Sequence, residues 1–315
     1  MSIYLMILIF AVGVVLVVKG GDVFVDAASK IATELHIPKF LIGATIVSLA
    51  TTLPELMVSS FAAAGGQSDM AVGNAVGSVI GNQGLIMAIA MIFMDYVCKR
   101  KDYFVQSLIL LISVCLLFIT GRDGSVSLAA NIVFVILFFV YMYVNVKNAK
   151  NAMKEGKANE DENIEQKALG KEFLLFALGA VMIVFGSRFM VNSGTGIAEY
   201  FKVPERVIAV TIVAIGTSLP ELVTTITAIA KKEPSLSIGN IIGANILNVT
   251  MIMPVASFIS AGGLKISEGA MTLDLPWMVG ITILAIVPIM IKERSYKLQG
   301  YLMLAAYAVY LAMVI

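Results

Sequence analysis

The chain has 315 residues, of which 59% are apolar and 14% charged, with a net charge of +1 and a mean hydropathy of +0.93. A soluble domain carries about 25% charged residues, so there is too little polar surface here to face water on all sides, and the near-zero charge offers no footprint for nucleic acid. Two cysteines, Cys98 and Cys115, beside apolar spans, and one histidine, His36, in a short polar connection, exclude a disulfide framework and a thiolate or imidazole metal centre.

Apolar stretches near or above the roughly 20 residues needed to cross a bilayer recur along the whole length. The first of them, Ile3 to Val18, lacks a basic leader and a cleavage site, so it reads as a retained helix and not a signal peptide. The pattern predicts an all-α membrane protein of about ten transmembrane helices, at 3–34, 39–64, 69–94, 103–120, 125–146, 172–199, 204–230, 235–261, 268–291 and 297–315. Between the fifth and sixth spans lies the one long hydrophilic segment, 147–171, mixing Lys with Glu and Asp, which reads as a solvated linker between halves 1–146 and 172–315. Lys30, Lys39, Lys99, Arg100, Lys101, Lys231, Lys232, Lys292, Arg294 and Lys297 fall in loops on the linker's side, whereas the opposite loops hold only Arg122, Lys202, Arg206 and Lys265. The positive-inside rule makes the linker cytoplasmic and places both termini outside. Asp22, Asp26, Lys19 and Arg188 lie toward the ends of long spans and read as snorkelling residues. Glu268, Asp274 and Trp277 mark the entrance of the ninth span.

Shifting the chain by 166 positions, from Glu55 to Glu221, superposes its halves without a gap. PKFLIGATIVSLATTLPEL (38–56) lies over PERVIAVTIVAIGTSLPEL (204–222), and AVGNAVGSVIGNQGLIM (71–87) over SIGNIIGANILNVTMIM (237–253). Gly13 falls on Gly179, and Gly20 on Gly186. Each half holds an odd number of spans, five, so the halves form two inverted-topology five-helix repeats, an arrangement that in secondary transporters places the binding site near the midplane on interrupted helices.

In ATTLPE (50–55) and GTSLPE (216–221) a proline sits well inside an apolar span, where it removes a backbone donor and clashes one turn back. The carbonyls of Thr51 and Thr217 are expected to be partly freed, which is tolerated at this depth only in a buried or cavity-lining position. A glutamate follows each proline, and an ionisable side chain inside a span marks function by default. Single prolines and hydroxyls are often only kinks and interhelical bonds, but two symmetric copies, each with a midspan glutamate, point to a site. Thr51, Thr52, Thr217 and Ser218 add hydroxyls. Ser78 and Asn82 share a helical face, with Ala244 and Asn248 as counterparts, and Gly73, Gly77, Gly239 and Gly243 allow close helix approach. All these ligands are hard oxygens, favouring Ca²⁺, Mg²⁺, Mn²⁺ or alkali cations over zinc or copper.

At these residues the sequence resembles the sodium/calcium exchangers of the cation/calcium antiporter superfamily, in two G-T-S-x-P-E-type motifs, two G-N-x-x-G-[SA]-type motifs and the stretch GGDVFVDAASKIA before the first of them. The resemblance covers nearly the whole chain. It implies two inverted five-helix repeats, alternating access around a central site, exchange of Ca²⁺ for Na⁺ and no covalent chemistry or cofactor. It further implies that Glu55 and Glu221 are the shared carboxylates, that Thr51 and Thr217 supply carbonyls, and that Thr52, Ser78 and Ser218 supply hydroxyls. Ser48 and Ala214 would give backbone oxygen, and Asn82 and Asn248 would line the centre. The chain departs from the family pattern at Ala50, where Gly is usual, and at Ala244, where Ser is common. Asn248 occupies a position that is Asp in the potassium-dependent exchangers, which argues against a K⁺ requirement.

The rival reading is an antiporter of the same fold that moves H⁺ against Ca²⁺ or another divalent cation, although the G-N-x-x-E motif general in the proton-coupled calcium exchangers is absent. A channel lacks any filter-like loop here, and an intramembrane hydrolase lacks a second catalytic set. The expected partners are the ions and membrane lipid, with no obligate protein partner evident. The short loops fit a prokaryotic plasma membrane.

Overall fold

Within hydrocarbon every backbone N–H and C=O must be paired inside the chain, and a helix does so locally. The structure is a computed structural model describing residues 2–94, 97, 100–157, 166–202, 214–260 and 263–314, without the side chains of 100–102, 156–157, 166–168 and 214–215. Among these residues the chain is helical, with isolated backbone bridges at Val97–Arg294 and Ser125–Lys265 and no strand. Cys98, the middle of the linker and the start of the seventh expected span (203–213) lie outside the described residues.

Helix α1 spans Ile3–Glu34. The second span is broken. Its first part, α2 (Lys39–Ile42), passes through a π turn (Gly43–Val47) into α3 (Ser48–Thr51), and α4 (Leu53–Ala64) leaves at an angle of 44°. The third is α5 (Ser68–Gly81), a π turn (Asn82–Met87) and α6 (Ala88–Phe93). Helices α7 (Arg100–Gly121) and α8 (Leu128–Lys157) complete the first half. In the second half α9 (Gln166–Tyr200) is followed by α10 (Ala214–Thr217) and α11 (Leu219–Ala230). Next come α12 (Pro234–Leu247), a π turn (Asn248–Ile252) and α13 (Met253–Ile259). A π turn (Ala270–Asp274) leads into α14 (Leu275–Lys292), and α15 (Lys297–Val314) ends the fold. Among the described residues eight helices are long and apolar enough to cross a membrane and the bent pair makes a ninth, while the remaining expected span, 204–230, is described only from Ala214. α8 runs past the expected end of the fifth span at 146, because KNAKNAMKEGK is rich in helix-favouring Lys, Ala, Met and Glu.

The inverted repeat is visible where α1 crosses α9. A Cβ on Gly13 would meet the Gly186 carbonyl at 2.8 Å, and one on Gly179 would meet the Gly20 carbonyl at 2.9 Å. Adding 166 to Gly13 and Gly20 gives Gly179 and Gly186, so each contact is the image of the other under an axis between the two helices. Small residues bring the backbones this close, as is usual in membrane helix pairs, and Phe24 stacks on Phe176 alongside at 4.4 Å between ring centroids.

Burial runs from the periphery inward. Of the most apolar stretch of α1 only 17% of residues are buried, against 83% for the span formed by α12, its π turn and α13. Large apolar side chains such as Leu8, Val15, Phe139 and Leu174 point outward, as a lipid-facing surface requires. The buried centre holds Ser48, Thr51, Thr52, Glu55, Asn82, Glu221, Asn240, Asn245 and Asn248. Near the end of α11 the half-exposed Asp26 of α1 pairs with Lys231, the residue that follows the helix, at 2.7 Å. Glu233 similarly joins Lys39 and accepts from the Ser29 hydroxyl at 2.9 Å. Exposed pairs of this kind contribute about 0–1 kcal/mol each, so they align helix ends more than they hold the fold.

The glycines of the two G-N-x-x-G segments differ. A Cβ on Gly239 would lie 2.3 Å from the Phe40 carbonyl, and one on Gly243 would lie 2.5 Å from Ser48 Oγ. Gly73 and Gly77 have no described atom within 4 Å of such a Cβ, so the close approach expected of all four is found in the second half only. Gly239→Ala is expected to lower stability by about 1–3 kcal/mol, because the obstacle is backbone that cannot rotate away. Gly280→Ala, on an open face of α14, is expected to be neutral or slightly stabilising. Thermal unfolding of both variants in detergent checks the contrast.

Candidate cation-binding site

The broken spans create the site. Thr52 (φ −83°, ψ −4°) and its repeat counterpart Ser218 (φ −89°, ψ 9°) each interrupt the helix for one residue before α4 and α11 begin. Pro54 and Pro220 then fall at the second position of these helices, where a missing N–H removes no helical bond. The interruption expected at each proline thus falls at Thr52 and Ser218, two residues ahead of the ring, where the chain stops and restarts. Glu55 and Glu221 therefore stand in the first turn of α4 and α11, at the positive end of each helix.

Both carboxylates are fully buried, and each feels the other's charge. Thr51 and Thr52 present their hydroxyls to Glu221. The Thr52 hydroxyl lies 2.6 Å from the Ser48 carbonyl and 3.5 Å from Glu221 Oε1. Its proton goes to the short contact, which leaves the oxygen lone pairs on the Glu221 side. Thr51 Oγ1 lies 3.1 Å from Asn240 Oδ1 and 3.3 Å from the same Ser48 carbonyl.

The symmetric π turns supply the amides. Asn82 and Asn248 open equivalent π turns, which are enriched at functional sites. The turn at Asn82 packs on α11 and the turn at Asn248 on α4, so each faces the span that carries the other half's glutamate. Asn82 Nδ2 donates to Asn245 Oδ1 at 3.1 Å, and Asn248 Nδ2 to the Ala244 carbonyl at 3.0 Å. With their amide nitrogens held by scaffold, both side-chain oxygens remain as acceptors. Asn74 Nδ2 donates to the Glu55 carbonyl at 3.1 Å and to Ser59 Oγ at 2.9 Å, tying α5 to α4.

Ser78, Thr217 and Ser218 line a cavity of about 390 Å³ that also touches Val58, Met70 and Tyr307 and runs toward the end of α15 at Val314. Ala214 opens α10, and its side chain lies outside the described residues. Sequence reasoning passed over Asn74, Asn240 and Asn245. The first two were detectable as the asparagines of the repeated G-N-x-x-G motif, whereas Asn245 faces Val79 across the repeat and carried no such signal.

At the centre, five buried oxygens accept no hydrogen bond from any described residue: both of Glu55, Oε2 of Glu221, and Oδ1 of Asn82 and Asn248. A buried carboxylate without a donor costs several kcal/mol, and such oxygens with threonine and serine hydroxyls nearby form a donor set suited to a hard cation.

The molecule is similar to known proteins over its whole length. A family described as sodium/calcium exchanger protein matches residues 5–147 and 171–315. The inner membrane protein YrbG of Escherichia coli (strain K12) is 32% identical over 314 residues, covering 96% of this chain and 94% of its own. The sodium/calcium exchanger MaX1 of Methanosarcina acetivorans is 28% identical over 354 residues, covering 96% of this chain and 97% of its own. A solved structure of the sodium-calcium exchanger NCX_Mj superposes with a TM-score of 0.86 at 27% identity over 99% of both chains. With both helical halves matched and a relative above 30% identity along nearly the full length, the chain belongs to the sodium/calcium exchanger protein family.

Proposed function

We propose that the protein is a secondary antiporter of the cell membrane that exchanges Ca²⁺ for Na⁺ by alternating access, with both ions held at Glu55 and Glu221. The observation that carries this reading is the group of buried oxygens without donors that includes two buried carboxylates close enough to interact electrostatically. Two carboxylates neutralise one divalent ion. Thr52, Ser78 and Ser218 hydroxyls, the amide oxygens of Asn82 and Asn248, and the carbonyls of Ser48, Thr51, Ala214 and Thr217 are the candidates to complete its coordination. Sodium competes for the same oxygens, so occupation by either ion excludes the other.

Alternating access is supported by the unequal halves. The second half's glycines are closed against the Phe40 carbonyl and Ser48, while the equivalent Gly73 and Gly77 line the cavity. Met70, near the start of α5, and Val314, near the end of α15, both line it, which puts the cavity on the side of the termini. The lysine and arginine bias makes that side external, and the protein then stands open to the outside with its cytoplasmic side closed.

The direct test is uptake of radioactive Ca²⁺ into proteoliposomes loaded with Na⁺. Uptake that follows a pH gradient and ignores Na⁺ would assign H⁺ as the counter-ion. Glu55→Gln and Glu221→Gln are each expected to cut uptake by at least about a hundredfold, since each removes half of the charge that balances a buried divalent ion. Both proteins are expected to remain folded by size-exclusion chromatography, and near-normal uptake by either would place the site elsewhere.

Protons bind the same carboxylate oxygens and must leave before a divalent ion enters. Lowering the pH on the loading side is therefore expected to raise the apparent KM for Ca²⁺, with saturating Ca²⁺ restoring the rate. Initial rates over a pH series at several Ca²⁺ concentrations check this. A loss of maximal rate at unchanged KM would locate the acid effect in the conformational step.

A further inference from the structure

Tyr141 is the largest polar side chain buried near the site that the transport reading leaves without a role. It lies on α8, outside the broken spans that hold the ions, and is fully buried. Its hydroxyl donates to the carbonyl of Ala44. That carbonyl belongs to the π turn Gly43–Val47, where the Ser48 N–H bonds Gly43 O, five residues back, and passes over Ala44 O. The Ser48 hydroxyl also lies within hydrogen-bond reach of the Tyr141 oxygen, and Ser48 Oγ is wedged against Gly243 on the other side. Thr45 and Ser48 hold their hydroxyl protons on the Leu41 and Thr45 carbonyls, at 2.7 and 2.9 Å, so neither competes for the Ala44 oxygen.

We infer that Tyr141 is a positioning residue for cation binding: it stabilises the π register of the second span and so aims Ser48, Thr51, Thr52 and Glu55 at the centre. A π turn holds one residue more than the equivalent α turn. If the Ala44 carbonyl returned to an ordinary α bond, every residue after it would rotate by about 100° around the helix axis. The Ser48 carbonyl, which accepts from both threonine hydroxyls, would leave its place, and Thr52 would turn away from Glu221. The repeat carries a tyrosine at the same position of the second half, Tyr307, but that residue lines the open cavity. The inference rests on the binding reading above and adds to it a residue from a helix that supplies none of the proposed ligands.

The test uses the full chain in proteoliposomes. Tyr141→Phe keeps the ring and removes the hydroxyl, and is expected to raise the apparent KM for Ca²⁺ on the order of tenfold, as loss of a buried bond does. Its maximal rate and its unfolding temperature in detergent are expected to stay near those of the parent. Tyr143→Phe, on the exposed face of the same helix, is expected to change nothing. Ser48→Ala removes the hydroxyl that sits beside the Tyr141 oxygen in the same turn, and the double variant is expected to shift KM by less than the two single effects combined, because both changes loosen one turn. An unchanged KM in Tyr141→Phe overturns the inference, as does a lowered unfolding temperature with unchanged KM, which would make the residue a packing element. Full additivity with Ser48→Ala also overturns it. If Glu55→Gln and Glu221→Gln transport normally, the site itself is misassigned and this inference falls with it. If they fail while Tyr141→Phe is normal, only the role of Tyr141 is lost.

Discussion

Glu55 and Glu221 are both withdrawn from water within reach of each other's charge, and the structure around them answers that one difficulty. A carboxylate in an apolar interior costs several kcal/mol unless charge or hydrogen bonds compensate. The nearest compensation is local: each glutamate sits in the first turn of a helix, where the helix dipole favours negative charge by about 0.3–1 kcal/mol, up to about 2 when partly buried. That term is too small to settle two charges. The Thr52 hydroxyl makes only a long contact to Glu221 and gives its proton to the Ser48 carbonyl, and both Glu55 oxygens remain without a donor among the described residues. Under the proposed function the balance is left to a cation, which is why the two glutamates and the surrounding acceptor oxygens are best understood together.

The requirement for acceptors explains the backbone. A continuous α-helix hides its carbonyls and spaces its side chains by fixed rotation. The one-residue stops at Thr52 and Ser218 start new helices beneath the glutamates, and the π turns at Gly43, Asn82 and Asn248 shift the faces that follow. Each irregularity releases backbone polar groups that lipid could not satisfy, and each lies in the buried interior. Ala44 O is taken by Tyr141, and the Ser48 carbonyl by Thr51 and Thr52. The outer helices α1 and α9 stay regular and use their glycines for close contact.

Much of this was legible in the residues. Span positions followed from hydrophobic length, and the inverted repeat from a constant offset that the Gly13–Gly186 and Gly20–Gly179 contacts reproduce in space. The pairs Thr52 with Ser218 and Glu55 with Glu221 were visible because proline and glutamate are costly inside a span and occur there twice. The π turns were not visible, since GATIV, NQGLIM and NVTMI differ in composition and the turn depends on what packs beside it. The role of Tyr141 was hidden for the same reason: a tyrosine in an apolar helix says nothing until the carbonyl opposite is known. Asn245, facing Val79 across the repeat, shows that symmetry reports only what both halves share.

The same logic limits what the G-N-x-x-G motif says about packing. Gly73 and Gly77 have the spacing of Gly239 and Gly243, yet only the second pair is pressed against a neighbouring backbone. Sequence spacing specifies that close approach is possible, and the conformation decides where it happens. In a chain whose halves are images of each other, a tight contact on one side and its absence on the other describe two packings open to one motif. Packed interfaces switch between discrete arrangements and do not deform continuously, so under the proposed exchange a modest difference in ion occupancy at Glu55 and Glu221 would bias which side is closed. If the protein exchanges ions as proposed, it needs no separate gate: the glycines that bring α12 against α2 have counterparts in α5, and a buried pair of carboxylates favours occupation by one ion or the other.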